Sequence, residues 1–257
     1  MRKLKILILL ILALILTGCG KDTAQTTSTS LPVDSRYKQM TGKVVVFGTS
    51  IWAIERGPTG VASRLEEMTS FKVTDNSLLG GMAVRLEDDI QTEVSLVSIL
   101  FYDDNKYNKK LRESIKDADY VILAFGGNDQ YRGVPASGDG NSFENALSRS
   151  VTFIKEMNPN VRIVLIAPLN GWTLEDGEYI AFADIDNGGG KLGDYIDATE
   201  RVAQKNNLLC VKMSEAIVFS KDDPYKYFKD GSHLTELGSI LYAQYLTEKI
   251  YGFYYSK

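Results

Sequence analysis

The stretch KVVVFGTS, residues 43–50, is where the fold of this chain is decided. Residues 44–47 form a short apolar run of β-branched and aromatic side chains that ends at Gly48. Such a run is typical of a strand buried on both faces, as in a parallel α/β sheet. Ser50 follows the strand tip, where open parallel sheets bind ligands. Ser50 is therefore a candidate reactive group, although most strand-Gly-x-Ser stretches are ordinary turns.

The sequence contains one histidine, His233, in the stretch DGSH at residues 230–233. A serine hydroxyl needs a base to take its proton, and the base needs a third group that fixes its tautomer. The spacing predicts that Asp230 accepts a hydrogen bond from Nδ1 of His233 and leaves Nε2 facing Ser50. Imidazole, with a reference pKa of about 6.5, suits this proton transfer near neutrality. The alternative is a plain cap before a helix starting near Thr235.

Attack on an ester carbonyl builds negative charge on oxygen, and losing one donor to that oxygen costs roughly 100- to 1,000-fold in rate. The backbone N–H groups of Ser50 and Gly81 and the side-chain amide of Asn128 are candidate donors. Glycine at position 81 would let the backbone approach the substrate closely. Asn128 and Asp129 could instead form a turn after a strand, and Asp129 is interpreted as structural.

Four sequence blocks together resemble those of the SGNH, or GDSL-type, hydrolase family, in particular its lysophospholipase and thioesterase branch. They are GTS at 48–50, Asn76 followed five residues later by Gly81, GGND at 126–129, and DGSH at 230–233. The blocks occur in the family's order and the resemblance covers residues 43–250. Any one block is moderately specific, whereas all four with the single histidine are strong.

This resemblance implies a three-layer α/β/α flavodoxin-like fold with a central parallel sheet of about five strands. It implies no metal and no organic cofactor. It also implies roles for individual residues: Ser50 as nucleophile, His233 as base, Asp230 as the group orienting the base, and Ser50, Gly81 and Asn128 as oxyanion donors. One position departs from the family, since Thr49 stands where an aspartate usually precedes the serine. That aspartate is not the acid of the triad, so the departure concerns loop geometry more than chemistry.

The remaining pattern predicts strands that alternate with helices, and hence parallel β-α units in one domain. The predicted strands are 44–47, 71–74, 119–125, 162–167 and 208–211, and the predicted helices are 59–68, 82–90, 106–116, 142–157, 195–206 and 235–251. Residues 92–102 have a strand-like composition, but the sequence does not assign them a position in the sheet. Residues 168–190 show no period and are interpreted as a loop or lid. In the last helix, Leu237, Leu241, Tyr245 and Ile250 are expected to face inward.

The N-terminus reads as an export signal. Three basic residues precede a run of 11 apolar residues, 6–16, which is too short to span a membrane as a permanent helix. The sequence LTGC at 16–19 resembles the bacterial lipobox, which implies cleavage before Cys19 and a lipid on its sulfur. We therefore expect a signal peptide at 1–18, a polar tether at 19–39, a hydrolase domain at 40–257, and a protein anchored on the outer face of the bacterial membrane.

Composition excludes several classes of protein. The chain carries 29 basic and 33 acidic residues, and three of the basic ones lie in the expected signal, so nucleic acid is not an expected partner. Cys210 is the only thiol left after Cys19, which leaves no pair for an intramolecular disulfide. One histidine and one free cysteine also argue against a zinc site. Cys210 is expected to be a small buried apolar residue.

These observations predict a serine esterase that acts on an O-acyl ester, of which O-acetyl is one form, on a saccharide or cell-wall polymer. The alternatives are a lysophospholipase or other lipid esterase of the same family, and a non-catalytic, lipid-anchored glycan-binding protein with the same fold. Trp52 is interpreted as wall or core, with the sharper hypothesis that it shortens the acyl pocket. Trp172, Tyr179 and Phe182 are interpreted as core or lid packing, or else as a surface that stacks on a sugar ring.

Overall fold

The fold is built on a five-stranded parallel sheet. We describe it from a computed structural model, in which residues 34–54, 56–86, 95–102 and 106–256 are described. The strands lie in the order β2-β1-β3-β4-β7 and every pair is parallel. Their bounds are β1 Thr41–Gly48, β2 Ser70–Asp75, β3 Tyr120–Ala124, β4 Arg162–Ala167 and β7 Leu209–Lys212. The predicted α/β fold and parallel sheet are confirmed.

The helices that connect and cover the strands have these bounds in chain order: α1 Ser50–Ala53, α2 Val61–Met68, α3 Leu96–Phe101, α4 Lys106–Glu113, α5 Gly127–Tyr131, α6 Phe143–Met157, α7 Leu192–Asn206 and α8 Glu236–Tyr254. Alternate strand residues, such as Val45 and Phe47, pack with helices α3, α6 and α7 in one hydrophobic core. Helices α2 and α8 pack together, α2 against β2 and α8 against β7. The sheet therefore forms the middle of three layers, and the carboxyl ends of its strands share one edge.

The region 82–102 differs from its prediction. Residues 82–86 are not helical, because the N–H groups of Ala83 and Val84 donate to the Asp129 carboxylate rather than to a helix. Residues 87–90 of that predicted helix lie outside the described residues. The strand-like stretch 92–102 instead contains α3, with Ser95 as its N-cap. Leu96–Phe101 is nearly all apolar and buried, and a short run of that kind does not distinguish helix from strand.

Residues 168–190 are not a plain loop. They contain an antiparallel hairpin, β5 Trp172–Glu175 and β6 Glu178–Ala181. Its turn residues, Asp176 and Gly177, both have positive φ, 49° and 84°. This is the geometry of a type I′ turn, for which Asp-Gly is a preferred sequence. The Asp-Gly pair was therefore the signal that could have predicted the hairpin.

The inward face of α8 was also predicted wrongly in part. Ile250 is buried as expected, but Leu237 is 41% exposed, and Leu241 and Tyr245 are only half-buried. The buried face instead carries Ile240, Tyr242, Ala243, Leu246 and Thr247. Because apolar residues occur all around this helix, the sequence pattern did not identify one face.

The predicted signal peptide, Cys19 and most of the tether lie outside the described residues and stay predictions. At the end of the expected tether, Ser35–Gln39 forms a 3-10 turn. The Nζ of Lys38 there donates to the carbonyl oxygens of Glu67 and Thr69. Among the described residues, the helices are all too short or too polar to cross a bilayer.

Candidate active site

The structure brings Ser50, His233 and Asp230 into one hydrogen-bonded chain. Nε2 of His233 lies 2.9 Å from Oγ of Ser50, although the two residues are 183 positions apart. On the other side of the ring, Nδ1 lies 2.6 Å from Oδ2 of Asp230. A carboxylate can only accept, so Nδ1 carries the hydrogen and a neutral ring presents its lone pair to the serine hydroxyl. This is the arrangement that the spacing predicted.

The loop at residues 230–233 folds into a tight turn that holds the side chain of His233 against the carboxylate of Asp230. Oδ1 of Asp230 accepts hydrogen bonds from the backbone N–H groups of Ser232, at 3.1 Å, and His233, at 2.7 Å. Gly231 has φ of +85°, which permits this tight turn. Partial burial raises the pKa of Asp230, but the hydrogen bonds from His233 and Ser232 outweigh it, so that the pKa lies below its usual value. Asp230 is therefore ionised at neutral pH.

Ser50 lies just beyond the end of β1, at the first position of helix α1. Thr49, the residue that departs from the family pattern, is the N-cap of this helix, and its Oγ1 lies 3.5 Å from the N–H of Ile51. Threonine is an accepted N-cap residue. Thr49 thus holds the loop in a form that still delivers Ser50 to His233.

The candidate oxyanion donors lie together, but two of them already bond to protein atoms. Nδ2 of Asn128 donates to the carbonyl oxygen of Gly81 at 2.8 Å, and the N–H of Gly81 donates to the carbonyl oxygen of Leu78 at 3.1 Å. A Cβ at position 81 would lie 2.8 Å from the carbonyl oxygen of Gly48, which explains the glycine. An amide nitrogen carries two hydrogens, so Asn128 keeps a second one to donate. The roles of Gly81 and Asn128 stay predictions.

Asp129 fastens the loop after β2 to the loop after β3. It is fully buried, and its carboxylate accepts hydrogen bonds from the N–H groups of Ala83, Val84 and Gly126 at 3.0 to 3.2 Å. Burial raises the pKa of Asp129 to about 6 against the opposing effect of these hydrogen bonds. The structural interpretation of Asp129 agrees with these contacts, because its oxygens face backbone and not open space.

A cavity of about 540 Å³ opens beside Ser50. One side of it is made by Trp52 and Tyr242, whose rings meet edge to face with centroids 5.7 Å apart. The indole N–H of Trp52 donates to the Tyr242 hydroxyl at 3.3 Å. Both side chains are buried, so they form a fixed wall and not a mobile one. Sequence reasoning identified Trp52 but missed Tyr242, because it assigned the wrong face of α8.

The opposite wall is strand β5 of the hairpin. Trp172, Thr173, Leu174 and Glu175 all line the cavity. The base of the hairpin touches the histidine loop, since the N–H of Trp172 donates to the carbonyl oxygen of Gly231 at 3.0 Å. A Cβ at Gly171 would lie 2.0 Å from that oxygen, and one at Gly231 would lie 2.1 Å from the carbonyl oxygen of Trp172. Only glycines permit this approach.

The aromatic residues 172, 179 and 182 were expected to pack or to stack on a sugar. Trp172 is buried, and the edges or faces of Tyr179 and Tyr225 lie against it with centroids 4.8 and 5.2 Å away. Its indole N–H donates to the carbonyl oxygen of Pro224 at 2.8 Å. Packing is therefore the main role of Trp172, and it holds the hairpin in place.

Two other sequence predictions concern metals and the free thiol. Within the described ranges, histidine, cysteine and acidic side chains form no group of three suited to a metal ion. Cys210 is half-buried beside the hydrophobic core. Burial raises the pKa of its thiol to about 12, so the thiol is protonated and inert as a nucleophile at neutral pH.

Comparison with known proteins places this chain in a family of hydrolases. The profile of the GDSL-like lipase/acylhydrolase family matches residues 46–239. The chain belongs to that family, as the four sequence blocks indicated. No curated protein sequence matched it significantly.

Several solved structures share the fold. A possible lipase from Chitinophaga pinensis aligns with a TM-score of 0.60 at 15% identity, over 82% of this chain and 98% of that one. A carbohydrate acetylesterase from Sinorhizobium meliloti aligns with a TM-score of 0.58 at 14% identity, over 82% and 99%. An acetyl xylan esterase aligns with a TM-score of 0.51 at 16% identity, over 82% and 98%. At these identities the likeness shows the fold.

Proposed function

We propose that this protein is a serine hydrolase of carboxylic esters, with Ser50 as nucleophile, His233 as base and Asp230 as the group that orients the base. The observation that carries the proposal is the continuous chain of contacts from Asp230 through His233 to Ser50, 2.6 and 2.9 Å long. It ends beside a cavity large enough for a substrate. Retention of the whole constellation argues against the alternative of a non-catalytic glycan-binding protein.

The reaction follows from the positions of the protons. Oγ of Ser50 attacks the ester carbonyl carbon while Nε2 of His233 takes the hydroxyl proton, and Asp230 stabilises the imidazolium that forms. When the tetrahedral intermediate collapses, the same proton passes to the leaving alkoxide and an acyl-serine remains. Water then attacks the acyl-serine, with His233 again accepting a proton, and the acid product leaves with Ser50 restored.

The negative oxygen of the intermediate needs hydrogen-bond donors. The N–H of Ser50 opens a helix, where backbone N–H groups have no acceptor within the helix. The second hydrogen of the Asn128 amide is a further donor beside it. For the N–H of Gly81 to act as well, it would have to share its bond with the carbonyl oxygen of Leu78. We therefore assign Ser50 and Asn128 as the main donors and Gly81 as the third.

The substrate that we propose is an O-acyl, and specifically a short O-acyl, ester of a saccharide or cell-wall polymer. The fixed Trp52–Tyr242 wall next to the nucleophile supports a short acyl group. Two of the structures with the same fold are an acetyl xylan esterase and a carbohydrate acetylesterase, which supports a saccharide as the alcohol half. Lipid esters are the alternative within the same chemistry.

Replacing Ser50 with alanine tests the proposal directly. We expect Ser50→Ala to lower kcat for nitrophenyl acetate by at least about 1,000-fold, because no other hydroxyl lies in the chain of contacts. Ser148→Ala, a matched change on helix α6 away from the cavity, should retain wild-type activity. Circular dichroism of both variants controls for folding. Equal rates for wild type and Ser50→Ala would remove the assignment.

A further inference from the structure

Among the described residues, the charged side chains that line the cavity are all of one sign. Of the described residues that line it, the charged ones are Glu175 and Asp230, and both are acidic. Arg132 and Lys229 neighbour lining residues in sequence but lie outside the lining. A negatively charged group that enters this cavity thus meets carboxylates.

Glu175 is the charged lining residue that has no role in the proposed reaction. The Asp230 carboxylate is engaged with His233 and Ser232, whereas Glu175 is the exposed last residue of β5 and lines the same cavity as Ser50. Its partner across the hairpin, Glu178, has the same charge and a similar exposure but does not line the cavity. The hairpin thus places one of two paired glutamates at the substrate's path.

We propose that Glu175 makes this cleft select esters whose alcohol half carries no negative charge. The inference rests on the proposed function, in that it describes the substrate of the same site. An acylated neutral sugar, or one with an amino group, enters without repulsion. An acylated uronic acid and a lysophospholipid, whose phosphate is anionic, are both disfavoured. The discrimination against negative charge therefore comes from Glu175 on the hairpin and not from Asp230 in the hydrogen-bonded chain.

The size of the effect follows from the geometry. Glu175 is exposed, so water and salt weaken its interaction with a charged ligand. One like-charge contact of this kind changes binding by roughly 3-fold, and reversing the charge changes it by roughly 10-fold. Because the effect is electrostatic, it should shrink when the ionic strength rises from about 0.01 to 1 M.

The first experiment compares two substrates that differ mainly in charge, acetylated trigalacturonate and the acetylated galactotriose of the same linkage. We expect wild type to prefer the neutral substrate in kcat/KM. Glu175→Gln should raise kcat/KM for the anionic substrate about 3-fold and Glu175→Lys about 10-fold, through KM and not kcat. Glu156→Lys makes the same change of charge on helix α6, outside the cavity lining, and should leave the preference within roughly 2-fold of wild type. An anionic preference in wild type, or equal effects of Glu175→Lys and Glu156→Lys, would overturn the proposal.

The second experiment does not depend on catalysis. Both tryptophans of the sequence, Trp52 and Trp172, line the cavity, so intrinsic fluorescence reports its occupancy. Ser50→Ala protein is titrated with the two acetylated trisaccharides, with and without Glu175→Lys. The inference is supported if Ser50→Ala binds the neutral sugar more tightly than the anionic one and if Glu175→Lys removes this difference. This holds even if wild type hydrolyses no ester. Equal binding of both sugars overturns it even if the esterase activity is confirmed.

Discussion

The two walls of the cleft are held in different ways. The wall that carries Ser50 and Asn128 follows the buried strands β1 and β3, and the carboxylate of Asp129 ties its loops together from inside. The other wall is a hairpin whose strands pair with each other and not with the main sheet. Most of its residues are exposed or half-buried, and Trp172 is its one buried anchor.

This contrast separates two kinds of residue. Changes behind the nucleophile should affect the chemical step and the stability of the whole fold, because they disturb buried groups with several partners. Changes on the exposed part of the hairpin should affect substrate choice and leave stability almost unchanged. The contact between Gly171 and Gly231, where the hairpin meets the histidine loop, should be the most sensitive place outside the reacting side chains.

Among changes that leave the reacting side chains in place, the largest effect is expected at that contact. Gly231→Ala places a Cβ 2.1 Å from the carbonyl oxygen of Trp172 and also forces alanine to adopt φ of +85°. Both the hairpin and the histidine loop must then shift, and a shift of about 1 Å is enough to lower kcat by about 100-fold. The measurements are nitrophenyl acetate hydrolysis and thermal unfolding.

Gly177→Ala is the matched control for this variant. Gly177 has nearly the same φ, +84°, but a Cβ there meets nothing within 4 Å. It should therefore cost only the backbone strain, about 1 kcal/mol, and leave kcat near wild type. If the two glycine variants lose the same activity, the hairpin and the histidine loop are not coupled through Gly231.

A smaller effect is expected at Asp129. Asp129→Asn replaces one of the two acceptor oxygens with an amide nitrogen that can only donate, so at least one of the N–H groups of Ala83, Val84 and Gly126 loses its partner. We expect the free energy of unfolding at pH 7 to fall by about 1–3 kcal/mol and kcat to fall with it. Urea unfolding of both proteins measures the difference. An unchanged unfolding free energy would contradict the role of Asp129 as the internal tie.

The same variant has a signature in pH. The pKa of Asp129 is raised to about 6, above the unfolded value of about 3.9, so the folded state binds more protons between these values. Stability contributed by this group is therefore present below pH 4, falls as pH rises toward 6, and is constant above it. Asp129→Asn should lack this slope, which the difference between the two unfolding curves over pH 4 to 7 would reveal.

The smallest change concerns the acyl group. Trp52→Ala should raise the rate for nitrophenyl octanoate relative to nitrophenyl acetate by about 10-fold, because removing the indole opens space beside the nucleophile. Tyr242→Phe keeps the ring and removes only the hydroxyl that Trp52 contacts, so it should leave the ratio close to wild type. A wild-type preference for octanoate would contradict the short acyl pocket.

The sequence predicted the parts of the molecule that chemistry and burial constrain most. Four of the five strands of the main sheet were found because each is a short apolar run, whereas 71–74 has Lys72 and Thr74 among its apolar residues. The single histidine left one partner for Ser50. The spacing from Asp230 to His233 also predicted which ring nitrogen would face the aspartate, and the structure has that geometry. Membership of the family is confirmed, whereas the roles of the site residues stay proposals.

The parts that were missed depend on tertiary contacts. Residues 82–86 have a helix-like composition, but a distant carboxylate takes the N–H groups that a helix would use. Helix α3 was mistaken for a possible strand because nearly all of its residues are apolar and buried. It therefore has no exposed polar face that would show the helical period in the sequence. The sequence could not identify which face of α8 carries Tyr242 and lines the cavity, because apolar residues occur all around this helix.

The hairpin turn at Asp176 and Gly177 lies at the opposite end of the hairpin from the contact between Gly171 and Gly231. Lengthening β5 and β6 by one residue each at Asp176 and Gly177 would extend that wall by about 3.4 Å without displacing Gly171 or Gly231. Descendants of this chain could thus acquire a deeper cleft for longer polymers through insertions at a single solvent-facing position, while the proton path to Ser50 stays as it is.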